Sequence, residues 1–191
     1  MKKDYIADGK FENLDFRDKP FNKADYEACI FEGCDFSETD LSGLLFLECE
    51  FIQCNLSLVK LINTNFQDTG FHDCKMVGLH FTDCNEYGLS FNCTNCNLDN
   101  SSFYKTKIKN TEFKNTRLHE VDFTECDLTA SVFDNCDFQG ATFDNTILEK
   151  TDFQTSYNFI IDPEMNKIKK AVFSVNGLPG LLARYDIQIK V

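Results

Sequence analysis

A bulky apolar residue recurs at every fifth position through most of this chain. A small or apolar residue, such as Val121, Cys126 or Ala141, stands two positions before each bulky one. A period of five matches neither the 3.6 residues of a helix nor the two of a strand, so it favours a repeat architecture. Between residues 121 and 153, the bulky residues are Phe123, Leu128, Phe133, Phe138, Phe143, Leu148 and Phe153.

The register extends over most of the sequence. It begins at Phe11, continues to Phe91, slips by two residues within 92–97, and resumes at Leu98. It takes up 18 of the chain's 20 phenylalanines. Glu86 is the only residue at a repeat centre that is not apolar. Such regularity indicates that the centres and the small residues point inward while the other three positions of each repeat face solvent.

A second period predicts how the repeats stack. Every fourth centre is phenylalanine, which is the pattern of a coil with four five-residue sides in which residues about 20 apart lie above one another. Parallel ladders between coils would set a rise of ~4.8 Å. We therefore predict an all-β solenoid of about seven coils over residues 9–155, preceded by an N-terminal cap at residues 1–8. The members of this row are Phe11, Phe31, Phe51, Phe71, Phe91, Phe113, Phe133 and Phe153.

Residues 156–191 depart from the repeat and are predicted to be a C-terminal cap. Leu178, Leu181, Leu182 and Tyr185 have the spacing of one apolar face of a short helix. Residues 186–191 alternate like a half-buried strand. Elements this short need a surface to dock on, which is either the last coil alone or the last coil together with a second copy of the chain.

The cysteines are predicted to be core fillers. Nine of the ten stand two residues before a centre, where Ala, Ser and Thr occur elsewhere. Stacked cysteines such as Cys34 and Cys54 would keep their Cβ atoms ~4.8 Å apart, which is too far for a disulfide. Cys93 is the exception, and its Cys93–Cys96 spacing is a weak zinc signal that coincides with the predicted slip.

The sequence contains no pattern that favours catalysis. The three histidines, His72, His80 and His119, fall on outward positions of different sides, and a filled solenoid has no concave pocket. Glu86 has two interpretations: the coil bulges there and lets it reach water, or it is a recognition element at mid-rod. We expect no enzyme activity, metal or cofactor.

The net charge of −12 argues against partners rich in phosphate. It permits a basic protein partner, although acidity also serves solubility. No stretch approaches a membrane span, and no secretory signal follows Met1. Ten cysteines without an export signal predict a cytoplasmic protein with free thiols.

The repeat resembles that of the pentapeptide-repeat proteins. The similarity covers residues 9–155 and rests on units such as Cys34-Asp35-Phe36-Ser37 and Cys126-Asp127-Leu128-Thr129. It implies a right-handed quadrilateral parallel β-helix. The tail from Ala171 onward is similar to the C-terminal end of the Qnr, McbG and MfpA group, which implies a terminal helix and strand.

That resemblance also implies a function. Members of the group are acidic, DNA-mimicking dimers that engage DNA gyrase or topoisomerase IV, and they protect it from quinolones or toxin peptides. The alternative is a protein-interaction scaffold without a topoisomerase partner. By the repeat geometry, the candidate partner-binding carboxylates lie on the all-phenylalanine side: Glu12, Glu32, Glu50, Asp73, Glu112, Asp134 and Asp152. The candidate dimerisation residues are Leu178, Leu181, Leu182, Tyr185, Ile187 and Ile189.

Overall fold

The chain winds as a parallel β-solenoid in which each coil stacks on the one before it. The computed structural model describes residues 4–17 and 21–190. Phe11 pairs with Phe31 and Phe31 with Phe51, so that 20 residues make one coil. The predicted four-sided parallel fold is therefore confirmed.

Two sides of the rod carry continuous sheets. The short sheet has four strands: β1 (Asp4–Ala7), β3 (Ala24–Glu27), β5 (Leu45–Leu47) and β7 (Asn65–Gln67). The long sheet has seven: β2 (Lys10–Glu12), β4 (Ile30–Glu32), β6 (Glu50–Ile52), β8 (Thr69–His72), β9 (Phe91–Thr94), β10 (Glu112–Lys114) and β11 (Val132–Asp134). Isolated parallel bridges, such as Asp35 with Asn55 and Asp122 with Thr142, connect the coils along the other two sides.

The five-residue period arises from the corners of the coil. At most corners, the residue two positions after the centre adopts a left-handed conformation, with φ between 48° and 61° for the residues other than glycine. Asparagine, aspartate and glycine tolerate this conformation best, and Asn13, Gly33 and Asp73 are examples. Each side thus has two inward residues, two outward residues and one corner.

Stacked phenyl rings fill the interior. Phe113, Phe133 and Phe153 lie in one column, with centroids 4.9 and 5.1 Å apart and ring planes within 13° of parallel. All three are fully buried or nearly so. Cysteine, threonine or serine occupies most of the second inward positions, and many of their thiols and hydroxyls donate to carbonyls of the preceding coil, as Cys136 does to Phe113.

The register slip lies at residues 86–89, and the prediction of residues 92–97 was wrong. Thr69 pairs with Phe91 and Phe71 pairs with Cys93, so the two extra residues have already been accommodated before Phe91. Glu86 is exposed and Leu89 is buried. The coil therefore bulges at this point, and Glu86 reaches water instead of occupying the core.

The bulge also corrects the predicted row of phenylalanines. Cys93, fully buried, takes the central position beneath Phe71. Phe91 lies two residues earlier and stacks on Phe81, with centroids 5.1 Å apart. Apolar side chains at both positions 91 and 93 made the two registers indistinguishable by periodicity.

The solenoid extends beyond both ends of the predicted repeat. At the N-terminal end, Asp4–Ala7 pairs with Ala24–Glu27 as a rung of the ladder, although residues 1–8 were predicted to be a cap; residues 1–3 lie outside the described residues. At the other end, Val172 bridges Asp152, and Phe173 stacks on Phe153 at 5.3 Å. Residues 166–173 thus complete a further coil.

The tail covers the last coil. It consists of a 3₁₀ turn at Val175–Gly177, the helix α1 (Leu178–Leu182) and a second 3₁₀ turn at Ala183–Tyr185. Gly180 accepts a hydrogen bond from the Ile161 amide, and an added Cβ there would lie 2.2 Å from the Phe159 carbonyl oxygen. The strand predicted for residues 186–191 does not form in residues 186–190, which pair with no strand among the described residues; Val191 lies outside the described residues.

Candidate partner-binding surfaces

The seven predicted carboxylates all project from the long-sheet side. They do not form one row. Glu12, Glu32 and Asp134 follow the central residue of their strands, whereas Asp73 stands at a corner. The remaining three, which precede the central residue, are Glu50, Glu112 and Asp152.

Most of these carboxylates have partners within the chain. Lys10 Nζ lies 2.5 Å from Glu12 and 3.2 Å from Glu32, and these hydrogen bonds raise the pKa of Lys10. The His72 ring lies 2.8 Å from Glu50. Asp134 lies 4.0 Å from Lys114. The negative potential of the N-terminal half of this side is therefore reduced by its own basic residues.

Glu112, Asp152 and Asp73 have no basic partner among the described residues. Within that part of the chain, none of the three carboxylates lies within ion-pair distance of a basic side chain, and Asp73 accepts a hydrogen bond from Asn95. Glu112 and Asp152 stand on either side of Val132 in the same ladder, and Val132 is 40% exposed. This arrangement of two carboxylates without a basic partner around an exposed apolar side chain is the part of the long-sheet side best suited to a basic partner.

An asparagine ladder that the repeat pattern did not predict lies beside these carboxylates. Asn135 Nδ2 donates to Asn115 Oδ1 at 2.9 Å, and Asn115 Nδ2 donates to Asn95 Oδ1 at 3.0 Å. Asn95 in turn donates to Asp73 at 3.0 Å. All three stand at corners with positive φ. The sequence contains a signal for this ladder, because asparagine recurs at corner positions 20 residues apart, which stack on successive coils.

The predicted dimerisation residues do not share one face. Leu181 packs on the core of the last coil. Arg184 and Tyr185 hold the tail in place, because Arg184 contacts Asp162 at 2.6 Å and Tyr185 donates to Glu164 at 2.8 Å. The other predicted residues leave an apolar surface at the end of the rod, at 36–55% exposure: Leu178, Leu182, Tyr185, Ile187 and Ile189.

The cysteines form no disulfide within the described part of the chain, and all except Cys84 are buried. Burial raises the pKa of Cys49, Cys126 and Cys136 to about 12, so these thiols stay neutral at physiological pH. The residues in 4–17 and 21–190 contain no cluster of His, Cys, Asp and Glu side chains arranged to hold a metal ion. In the same ranges, no helix is long and apolar enough to cross a bilayer.

A family model supports the architecture. The model described as pentapeptide repeat region matches residues 24–95 and 90–157, which together cover more than half of the chain. The chain belongs to the pentapeptide-repeat family. No curated protein sequence matches it.

Solved structures with the same fold have low sequence identity to the chain. A structure of QnrB1, described as a plasmid-mediated fluoroquinolone resistance protein, is similar with a TM-score of 0.75 at 18% identity. That match covers 100% of this chain and 96% of QnrB1. HetL, involved in heterocyst differentiation regulation in the cyanobacterium Nostoc, gives a TM-score of 0.72 at 12% identity, covering 90% of this chain and 87% of HetL. At sequence identities this low, the structural similarity shows a shared fold and nothing more.

Proposed function

We propose that this chain is a non-enzymatic, cytoplasmic protein that binds a type II topoisomerase, DNA gyrase or topoisomerase IV, on a surface that otherwise holds duplex DNA. The observation that carries the proposal is the pair of carboxylates without a basic partner among the described residues, Glu112 and Asp152, on a flat side of an acidic rod. The similarity in fold to QnrB1 adds support. In this role the protein would protect the enzyme or modulate its activity.

The charge of the rod is of the right order for such a role. Eight rises of ~4.8 Å separate the first rung from the last, which gives a length of roughly 38 Å. A net charge of −12 over that length is one charge per ~3 Å, against one per ~1.7 Å for duplex DNA. The rod thus has about half the charge density of DNA, sufficient to attract a basic groove when its carboxylates are concentrated on the contacting side.

Reversal of charge on the long-sheet side tests this proposal. Changing Glu112, Asp134 and Asp152 to lysine should weaken binding to gyrase at least tenfold, because it places three positive charges against a basic groove. Binding of the wild-type protein should also weaken as salt increases, since the attraction is screened. The measurement is the dissociation constant at two salt concentrations.

The matched control changes three exposed carboxylates on other sides, Glu38, Asp83 and Glu120, to lysine. Its net charge equals that of the first variant, so it separates local from overall charge. The control should bind within about threefold of wild type. Equal affinities for the two variants would contradict the assigned contact side, and unchanged affinity in both would favour a scaffold without a topoisomerase partner.

We also propose that the tail joins two copies of the chain end to end. The apolar surface around Leu182 and Ile187, together with a backbone segment lacking a strand partner, supports this proposal. Changing both residues to glutamate should give a monomer in light scattering at 0.5 M salt, where contacts between charges are screened. Leu58, 58% exposed at mid-rod, changed to glutamate is the control and should leave the dimer intact. A wild-type protein that is monomeric at micromolar concentration would contradict the proposal.

A further inference from the structure

One side of the rod changes the sign of its charge at the bulge. The short-sheet side comprises the short sheet and the segments that continue its stack beyond the bulge, at residues 107–110, 127–130, 147–150 and 167–170. Its acidic half, before the bulge, includes Asp4, Asp8, Asp25, Glu27, Glu48 and Asp68 and no described basic residue. Its basic half, after the bulge, includes Lys107, Lys109, Lys150, Lys167, Lys169 and Lys170.

The lysines of the basic half stand on three of its four rungs, and the rung at residues 127–130 contains none. Parallel bridges connect Lys107 to Asp127, Asp127 to Ile147, and Ile147 to Lys167. The Lys150 amide donates to the Lys169 carbonyl at 3.0 Å. Lys150 thus lies about one ladder spacing, ~4.8 Å, from the lysines of the last rung, whereas Lys107 lies three rises, roughly 14 Å, from Lys167.

These charges are only slightly compensated within the chain. Six lysines against two carboxylates, Asp127 and Glu149, give the basic half a local charge of +4 on a protein of net charge −12. Lys109 lies 3.0 Å from Asp127. The other five lysines contact no carboxylate within 4 Å among the described residues, and in the acidic half Asp8 and Glu48 likewise contact no basic side chain there.

We propose that the short-sheet side binds the same side of a second copy of this chain, with the two rods antiparallel. A side that is acidic in one half and basic in the other is complementary to itself after a rotation of 180°. That is the requirement for a closed two-fold interface, in which the same patch serves both subunits. An acidic peptide or a nucleic acid would complement the basic half alone and would be repelled by the other half.

The position of the bulge supports this pairing. Four rungs of the short-sheet side precede it, beginning at residues 4–8, and four follow it, ending at residues 167–170. A two-fold axis at the bulge therefore matches the first rung of one copy with the last rung of the other. Asp8 then faces Lys170, and Glu27 faces a rung containing Glu149 and Lys150.

The size of the interface predicts weak association. The side is roughly 38 Å long and about 10 Å wide, since its outward positions span three residues of extended chain. Two copies would bury roughly 800 Å² in total, which is below the range of stable complexes. We therefore expect micromolar affinity that is lost when salt screens the charges. This pairing uses a different side from the proposed topoisomerase contact.

Zero-length cross-linking between carboxylates and amines tests the arrangement in the full-length protein. Within one copy, Asp8 and Lys170 lie roughly 38 Å apart and Glu27 and Lys150 roughly 29 Å apart, so neither pair can be joined intramolecularly. At low salt, mass spectrometry should identify both cross-links, and both should disappear at 0.5 M salt. A protein that cross-links neither pair at 100 µM would overturn the proposal.

A charge exchange between two variants gives a second test. The first variant changes Lys150, Lys169 and Lys170 to glutamate, and the second changes Asp8, Glu27 and Glu48 to lysine. Each alone should lose the low-salt association seen in sedimentation, because the first variant's basic half becomes negative and the second variant's acidic half becomes neutral. An equimolar mixture should regain it, because the two sides are then complementary.

The matched control changes Lys23, Lys60 and Lys75, on other sides, to glutamate. It has the same net charge as the first variant and should still associate like wild type. If the control loses association as well, overall charge is responsible and the proposal fails. It also fails if the mixture does not associate, or if the basic half binds an acidic peptide or a DNA duplex while the two cross-links are absent.

Discussion

At the scale of single residues, the fold depends on phenyl rings that are stacked at one ladder spacing. Phe133 illustrates the arrangement, because it stacks on Phe113 and Phe153 and contacts Phe123 and Phe138 at their edges. The Phe133 ring thus has aromatic neighbours above, below and beside it. Removal of one ring leaves a cavity that rigid ladders on four sides cannot close.

We expect Phe133→Ala to lower the free energy of unfolding by ~3–5 kcal/mol, the cost typical of a large buried aromatic. Urea denaturation at neutral pH measures this change. Leu14→Ala, which alters a 38%-exposed residue, serves as the control and should cost much less. A loss below 1 kcal/mol for Phe133→Ala would contradict the inward placement.

The buried thiols predict how stability depends on pH. Burial raises the pKa of Cys136 to about 12 in the folded protein, whereas an unfolded thiol titrates near ~8.5. Because the thiol loses its proton more easily in the unfolded state, its contribution to stability is fully present below pH ~8.5. That contribution is lost as pH increases toward 12. By pH 10 this one thiol should lower the free energy of unfolding by about 2 kcal/mol. Replacing Cys136 with alanine should remove that part of the decline between pH 7.5 and 10, and parallel pH profiles for the two proteins would refute the assignment.

Periodicity predicted these inward residues well, because every centre faces the same environment. The carboxylate of Glu86 at a repeat centre also predicted that this residue is exposed, since burial of an unpaired carboxylate is costly. Periodicity could not show that Cys93 replaces Phe91 at the centre of its side. Both residues are apolar, and only the backbone ladder between Phe71 and Cys93 determines which one takes the position.

At the scale of elements, the bulge at residues 86–89 and the tail are the two departures from a uniform solenoid. The bulge accommodates two extra residues, exposes Glu86 and Tyr87, and returns Leu89 to the core. The last coil could have been predicted from the sequence, because Ile168 and Phe173 stand 20 residues after Leu148 and Phe153. The absence of the predicted terminal strand could not have been predicted, since a strand forms only beside a partner strand, and the alternating pattern of the tail does not specify one.

Two substitutions test the assignment of the bulge. Leu89→Ala should cost ~2–5 kcal/mol in unfolding free energy, because it removes a buried side chain. Glu86→Ala should change the free energy by less than about 0.5 kcal/mol, because its side chain is in water. Urea denaturation of both variants distinguishes this register from a slip at residues 92–97, which would make Glu86 the more sensitive position.

At the scale of the whole molecule, the proposed function depends on how charge is distributed over four flat sides. The long-sheet side presents Glu112 and Asp152 around Val132, and the short-sheet side changes sign at the bulge. The sequence predicted which residues face outward but not which of them neutralise one another. Pairs such as Lys10 with Glu32 and His72 with Glu50 are 22 residues apart and follow from the stacking of coils.

Competition between this protein and duplex DNA for gyrase tests the central claim most directly. Gyrase is saturated with a fluorescent duplex, the protein is titrated in, and the DNA that stays bound is measured by anisotropy. A protein that takes the place of DNA should displace the duplex completely, and the concentration needed should increase in proportion to the DNA present. A ternary complex of gyrase, DNA and this protein, or no displacement at protein concentrations that saturate gyrase, would contradict the proposed function.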